Sequence, residues 1–189
     1  MLHLQHRTPE AWAHRALEDV PRLLADQLSC EYKAAAAGRM MARKFGTVAP
    51  RLGTALGALA CEEEGHARLV ERLQAEHGWA APPGKAHYTA QLRRAAMGPA
   101  AGRLDLLLVS GLIEARSCER FGLLAREARG SLLAGFFEDF LAAEARHLSL
   151  FVELALDLYP EDRVRARLAE LAQIEARISA EMPLESRMH

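Results

Sequence analysis

Two stretches of this chain place a carboxylate three residues before an imidazole: Glu63 and His66 in CEEEGHARLV, and Glu144 and His147 in LAAEARHLSL. In a helix each pair lies on one side, about a turn apart. Glu31 precedes the first pair by 32 residues and Glu114 precedes the second by 30, so the chain reads Glu, then Glu-x-x-His, twice over. Four carboxylates and two neutral imidazoles could hold a pair of divalent cations. Four negative charges would meet four positive ones, and the imidazoles would complete the coordination.

Helices must carry these residues. Ala, Leu, Glu and Arg dominate the composition and β-branched residues are few, which favours helix throughout. RTPEAW reads as a helix start, with Thr8 as N-cap and Pro9 in the first helical position, and predicts a short helix to about Val20. Long helices are predicted over Pro21–Phe45, Pro50–His77, Arg103–Ala128 and Ser131–Leu158, with a last one over Glu161–Ala180. A connection of 25 residues, beginning at Gly78 and holding a short helix over Thr89–Ala96, separates the second long helix from the third. No period-two strand pattern is present. The expected fold is all-α: a four-helix bundle with additional N- and C-terminal helices and one long crossover between helices two and three. Residues 1–189 are expected to form a single domain.

Alternating steps of three and four trace a seam along each long helix. The first reads Leu24, Leu28, Glu31, Ala35, Gly38, Ala42, Phe45, and the second Leu52, Leu56, Leu59, Glu63, His66, Val70, Leu73. The third reads Leu107, Ser110, Glu114, Ser117, Phe121, Leu124, and the fourth Leu133, Phe137, Phe140, Glu144, His147, Phe151, Leu154, Leu158. Each is apolar or small except at its middle. A buried carboxylate costs several kcal/mol without a partner, and no Lys or Arg lies on these seams. Two metal ions answer that cost in the pattern of ferritin-like carboxylate proteins. The ligand set suits Fe or Mn better than Zn. A reduced iron pair could activate O2 for insertion of oxygen into a C–H bond. No nicotinamide or flavin fingerprint is present, so electrons would come from a separate protein.

SCEYKAAAAG around Glu31, GLIEARSCERF around Glu114 and AEARHLSLF around Glu144 resemble the MiaE family of tRNA hydroxylases, and the resemblance runs from TPEAW to the final helix. It implies a ferritin-like di-iron monooxygenase, with O2 as co-substrate. The implied substrate is the isopentenyl group of 2-methylthio-N6-isopentenyladenosine beside the tRNA anticodon. It also implies iron ligands at Glu31, Glu63, His66, Glu114, Glu144 and His147, the six residues that the seams select. Tyr88, Arg93 and Arg94 match the family's crossover segment. Two departures stand out: CEEEGHARLV is unusually acidic, and the C-terminal tail is short. Glu62 competes with Glu63 for pairing with His66 on helical spacing, but only Glu63 keeps the seam register.

RNA contact is expected from Arg39, Arg43 and Lys44 on the first long helix and from Lys85, His87, Tyr88, Arg93 and Arg94 in the crossover, where His87 and Tyr88 could stack on a base. Arg116 and Arg120 read equally as RNA contacts or as carboxylate partners. Cys30 and Cys118 are expected as small apolar fillers and Met40 and Met41 as core.

A net charge of −1 supplies no global field for nucleic acid. Three cysteines without CxxC spacing argue against a disulfide framework or a zinc site and fit a reducing cytoplasm. No apolar stretch approaches a membrane span. Two alternatives remain open on the sequence: a peroxide-handling di-manganese or di-iron protein, and a ferritin-like iron-binding protein. A monomer or small oligomer is expected, served by an external electron-transfer protein and reductase.

Overall fold

The computed structural model describes residues 4–82, 87–98 and 102–189. Among them the chain forms seven helices and no strand: α1 Ala11–Leu17, α2 Val20–Gly46, α3 Pro50–His77, α4 Tyr88–Ala96, α5 Arg103–Glu127, α6 Leu133–Leu158 and α7 Glu161–Ala180. No helix among these residues is long and apolar enough to cross a membrane. Lys85 lies outside the described residues.

Local chemistry sets several helix ends. Asp19 accepts the Arg22 N–H at 3.1 Å, and Pro21 occupies the first turn of α2. Gly78, at φ 64°, terminates α3 in the left-handed conformation that glycine adopts without strain. Ser131 accepts the Leu133 N–H at 3.2 Å, so it stands before α6 and not within it. At the N-terminus the expectation needs correction. Thr8 does not cap a helix starting at Pro9. Its N–H and hydroxyl both donate to Glu119, at 3.1 and 2.7 Å, and α1 begins only at Ala11.

The chain divides into two compact units. In one, α2 and α3 pair along their length, and Met188 and His189 donate their backbone N–H groups to the buried Asp26 carboxylate at 2.8 and 3.1 Å. Small residues let these two helices approach closely. A Cβ on Gly53 would lie 2.6 Å from the Gly46 Cα, and one on Gly38 would lie 3.1 Å from the Ala60 Cβ. Met41 is buried, but Met40 is 38% exposed, contrary to its expected place in the core.

In the other unit α5 pairs with α6, while α1, α4 and α7 also pack on α5. Phe121 of α5 meets Phe137 and Phe140 of α6 with ring centroids 6.2 and 5.2 Å apart. Burying such a ring contributes roughly 1.5–3 kcal/mol. Because several helices cover it, α5 buries residues around most of its circumference, charged ones included.

Candidate metal centre

The α2–α3 unit contains a compact donor cluster. Ligand atoms of Glu31, Glu63 and His66 all lie within 4.8 Å of one another. His66 Nδ1 is 3.1 Å from Glu63 Oε2 and 3.5 Å from Glu31 Oε2. Both carboxylates are buried, Glu63 to 1% exposure. Burial alone would push the His66 imidazole down. Hydrogen bonds and charge from Glu31 and Glu63 outweigh it and raise the group to about 9. A cation entering here would replace that proton. The neighbouring acids separate cleanly: Glu62 is exposed, and Glu64 forms an ion pair with Arg39. Only Glu63 of the three points inward, as the seam register requires.

The α5–α6 unit carries the same residue types, but Glu114 is in neither group of donor atoms within 4.8 Å of one another. Glu114, Glu144 and His147 are all buried, and His147 Nδ1 lies 3.6 Å from Glu144 Oε2. Glu144 Oε2 is buried without a hydrogen bond, an electron-rich oxygen in a place suited to a cation. Cys118, four residues after Glu114, is half-buried and not the fully buried filler expected. Burial, with the charge of Glu144 added, pushes its thiol up to about 12, so it remains a neutral neighbour of the carboxylates. Carboxylates plus imidazole in each unit make a donor set that fits Fe or Mn.

The structure redefines the residues near α4. Tyr88 is completely buried, and its hydroxyl donates to Glu175 Oε1 at 2.8 Å. It presents no face to solvent, which corrects the expectation that it stacks on a base. Burial, then the Glu175 charge, drives its phenol well above the usual range. Arg116 is likewise at 0% exposure. Its Nε and Nη2 donate to Glu175 at 2.8–3.0 Å, its Nη1 donates to Thr8 Oγ1 at 3.0 Å and also to Glu119, and its Nη2 donates to the His6 carbonyl at 2.9 Å. Arg120 is buried with its guanidinium 5.0 Å from the Trp12 ring centroid and 5.9 Å from that of Tyr88, and burial lowers it to about 10. Arg116 is therefore a carboxylate partner, but of Glu175 and Glu119, and neither arginine is placed to touch RNA.

Of the basic positions, His87, Arg93 and Arg94 are exposed at α4, and Arg39, Arg43 and Lys44 are exposed on α2. Arg39 is engaged by Glu64, and Lys44 lies 5.9 Å from the Phe45 ring centroid. Sequence reading missed Gln27, a buried residue of α2 whose Nε2 donates to Glu31 Oε1. Its signal was present: an amide four residues before a seam carboxylate, on the same helical face.

The family model described as tRNA-(MS[2]IO[6]A)-hydroxylase (MiaE) matches residues 1–189. A tRNA 2-(methylsulfanyl)-N(6)-isopentenyladenosine(37) hydroxylase of Pseudomonas putida is 36% identical over 179 residues, covering 94% of this chain and 83% of that protein. The enzyme of the same name from Salmonella typhimurium is 36% identical over 86 residues, 46% of this chain and 31% of that one. Among solved structures, a protein with aldehyde deformylating oxygenase activity from Synechococcus superposes with a TM-score of 0.90 at 36% identity, over 100% of this chain and 96% of its own. The fold is accordingly all-α and ferritin-like. A match along the entire sequence, on a chain that carries Glu and Glu-x-x-His in each of its units with all four carboxylates buried, places this protein in the MiaE family of tRNA hydroxylases.

Proposed function

We propose that this protein is an O2-dependent di-iron monooxygenase. Its substrate would be the isopentenyl group of 2-methylthio-N6-isopentenyladenosine next to the tRNA anticodon. The observation that carries this reading is the family match along all 189 residues. The iron ligands would be Glu31, Glu63, His66, Glu114, Glu144 and His147, whose donor types, with all but His66 buried, fit a metal pair. The metal pair, when bound and reduced, supplies O2 activation for C–H hydroxylation.

The remaining work belongs to the chain. Glu31 and Glu63 hold His66 against one another until metal displaces its proton. Apolar residues flanking the ligands, including Phe137, Phe140 and Phe151, are buried and exclude water from the donor-bearing faces. His87, Arg93 and Arg94, with Arg39, Arg43 and Lys44, offer exposed positive charge for phosphates flanking the modified base. Lys85 belongs to the same proposal on sequence grounds. Electrons come from a separate electron-transfer protein and its reductase. With tRNA as substrate, the reaction belongs in the cytoplasm, carried out by a monomer or small oligomer. An iron-storage shell would instead be evident as a large assembly in light scattering.

The Synechococcus neighbour supports oxygenase chemistry on this fold, and it supplies a second substrate class to test, an aldehyde. The iron-loaded protein is incubated with O2, an electron donor and tRNA bearing the prenylated base, and the nucleosides are then read by mass spectrometry. Gain of one oxygen on the isopentenyl group is expected. No gain with an intact, reduced metal centre, together with turnover of aldehyde, would replace this reading with the second.

A further inference from the structure

The sequence repeat aligns Glu31 with Glu114, and thereby the residues four positions earlier, Gln27 and Ser110. Both of these are buried, Gln27 to 4% and Ser110 to 8% exposure. Their reach differs. A glutamine amide can span one helical turn to the carboxylate at i+4, whereas a serine hydroxyl, two bonds shorter, reaches its own turn's backbone instead. In α2 the span is made: Gln27 Nε2 donates to Glu31 Oε1. The other oxygen, Oε2, faces His66 Nδ1 at 3.5 Å. The amide thus takes one lone-pair direction of Oε1 and sets the carboxylate plane, leaving Oε2 on the side of the donor cluster formed with Glu63 and His66.

We propose that Gln27 is a positioning residue that orients the Glu31 carboxylate toward the donor cluster, so that the α2–α3 ligands would hold metal differently from those of α5–α6. The inference rests on the six-ligand reading above. A neutral donor suits this role. It stabilises the carboxylate without neutralising it, as Lys or Arg would, so the full negative charge remains for the cation. Oxygen and metal identity do not enter the argument, so the test needs no turnover.

Wild-type protein, Gln27→Met and Ser110→Ala are stripped of metal, and each is titrated anaerobically with ferrous iron. Met preserves the unbranched shape of Gln and removes only the amide. Thermal melting of the metal-free forms checks that packing is unchanged. In Gln27→Met one of the two binding steps is expected to weaken by about 10–100-fold, and one of two ferrous Mössbauer doublets to shift, while the other stays in place. Ser110→Ala is expected to leave both steps and both doublets as in wild type. Should Gln27→Met fail to fold, Gln27→Leu, read in the same way, takes its place. Unchanged affinity and spectra in a folded Gln27 variant would overturn the inference while leaving the six-ligand reading intact. Equal shifts of both doublets would overturn the inequivalence. Wild-type protein that takes up no iron would overturn both, and iron uptake without tRNA hydroxylation would overturn only the proposed function.

Discussion

Glu31 receives an amide from its own helix, whereas Glu114 belongs to a helix braced from outside. Two residues beyond Glu114, Arg116 ties α5 to Glu175 of α7 and, through Thr8 and the His6 carbonyl, to the segment leading into α1. Arg120, one turn further on, lies against Trp12 and Tyr88. The α2–α3 unit instead relies on close backbone approach at Gly53 and Gly46, and on the Asp26 carboxylate that receives the 188–189 backbone. The same Glu and Glu-x-x-His triplet is thus held by two different kinds of support. The proposed metal pair would require these residues at the centre of each seam, but many surroundings satisfy the requirement that they stay there.

The largest expected effect comes from removing the brace of the α5–α6 unit. Arg116→Met leaves the Glu175 carboxylate buried without its bidentate partner and should cost about 3–5 kcal/mol, read as a drop in chemical-denaturation stability. Replacing Glu175 and Arg116 together by apolar residues should restore much of it. A single Arg116 variant of wild-type stability would show that the network braces nothing.

Next in size are the ligands. Glu31→Ala and Glu114→Ala should each abolish tight binding of at least one iron, a loss exceeding the roughly 10–100-fold cost of removing a supporting residue, while helicity by circular dichroism survives. Glu62→Ala provides the control, because Glu62 is exposed beside the buried Glu63 and should bind metal as wild type does. Loss of metal in the Glu62 variant would shift the ligand assignment by one residue.

A smaller effect follows from the proton on His66. In the metal-free chain its folded value is raised from 6.5 to about 9. The stabilisation from this imidazolium is therefore complete below about 6.5 and is lost as pH rises through about 9. Metal must displace the proton, so apparent affinity in the α2–α3 unit should rise with pH toward 9, with proton release on metal addition. Metal uptake near pH 7 without proton release, followed with an indicator dye, would contradict this. Smallest of all, Cys118 should resist alkylation at pH 8 while the exposed Cys61 is modified, since the Cys118 thiol titrates only at about 12.

The long helices and the burial of the seam carboxylates were legible because each depends on local signals. Period and caps mark the helices, and a charged residue interrupting an apolar seam marks a buried acid. Glu63 could be chosen over Glu62 by register alone, and burial agrees. Tyr88 was misread, and the sequence leaves Arg116 and Arg120 between two readings, because a polar side chain in sequence suggests solvent. Their burial depends on three further helices that cover α5, and no local pattern announces that. Thr8 failed as a cap for the same reason, since Glu119, distant in sequence, claims its hydroxyl. Met40 and Met41 show the limit of composition, with adjacent identical residues of which one is buried and the other exposed.

The central claim is that carboxylate and imidazole from both units hold two iron ions. It is tested most directly by Mössbauer spectroscopy and iron analysis on anaerobically reconstituted protein, with the Glu31→Ala and Glu114→Ala variants alongside. Two irons per chain in the wild type, falling in each variant, is the predicted result. A wild type that takes up no iron, or variants that both retain two, would contradict it.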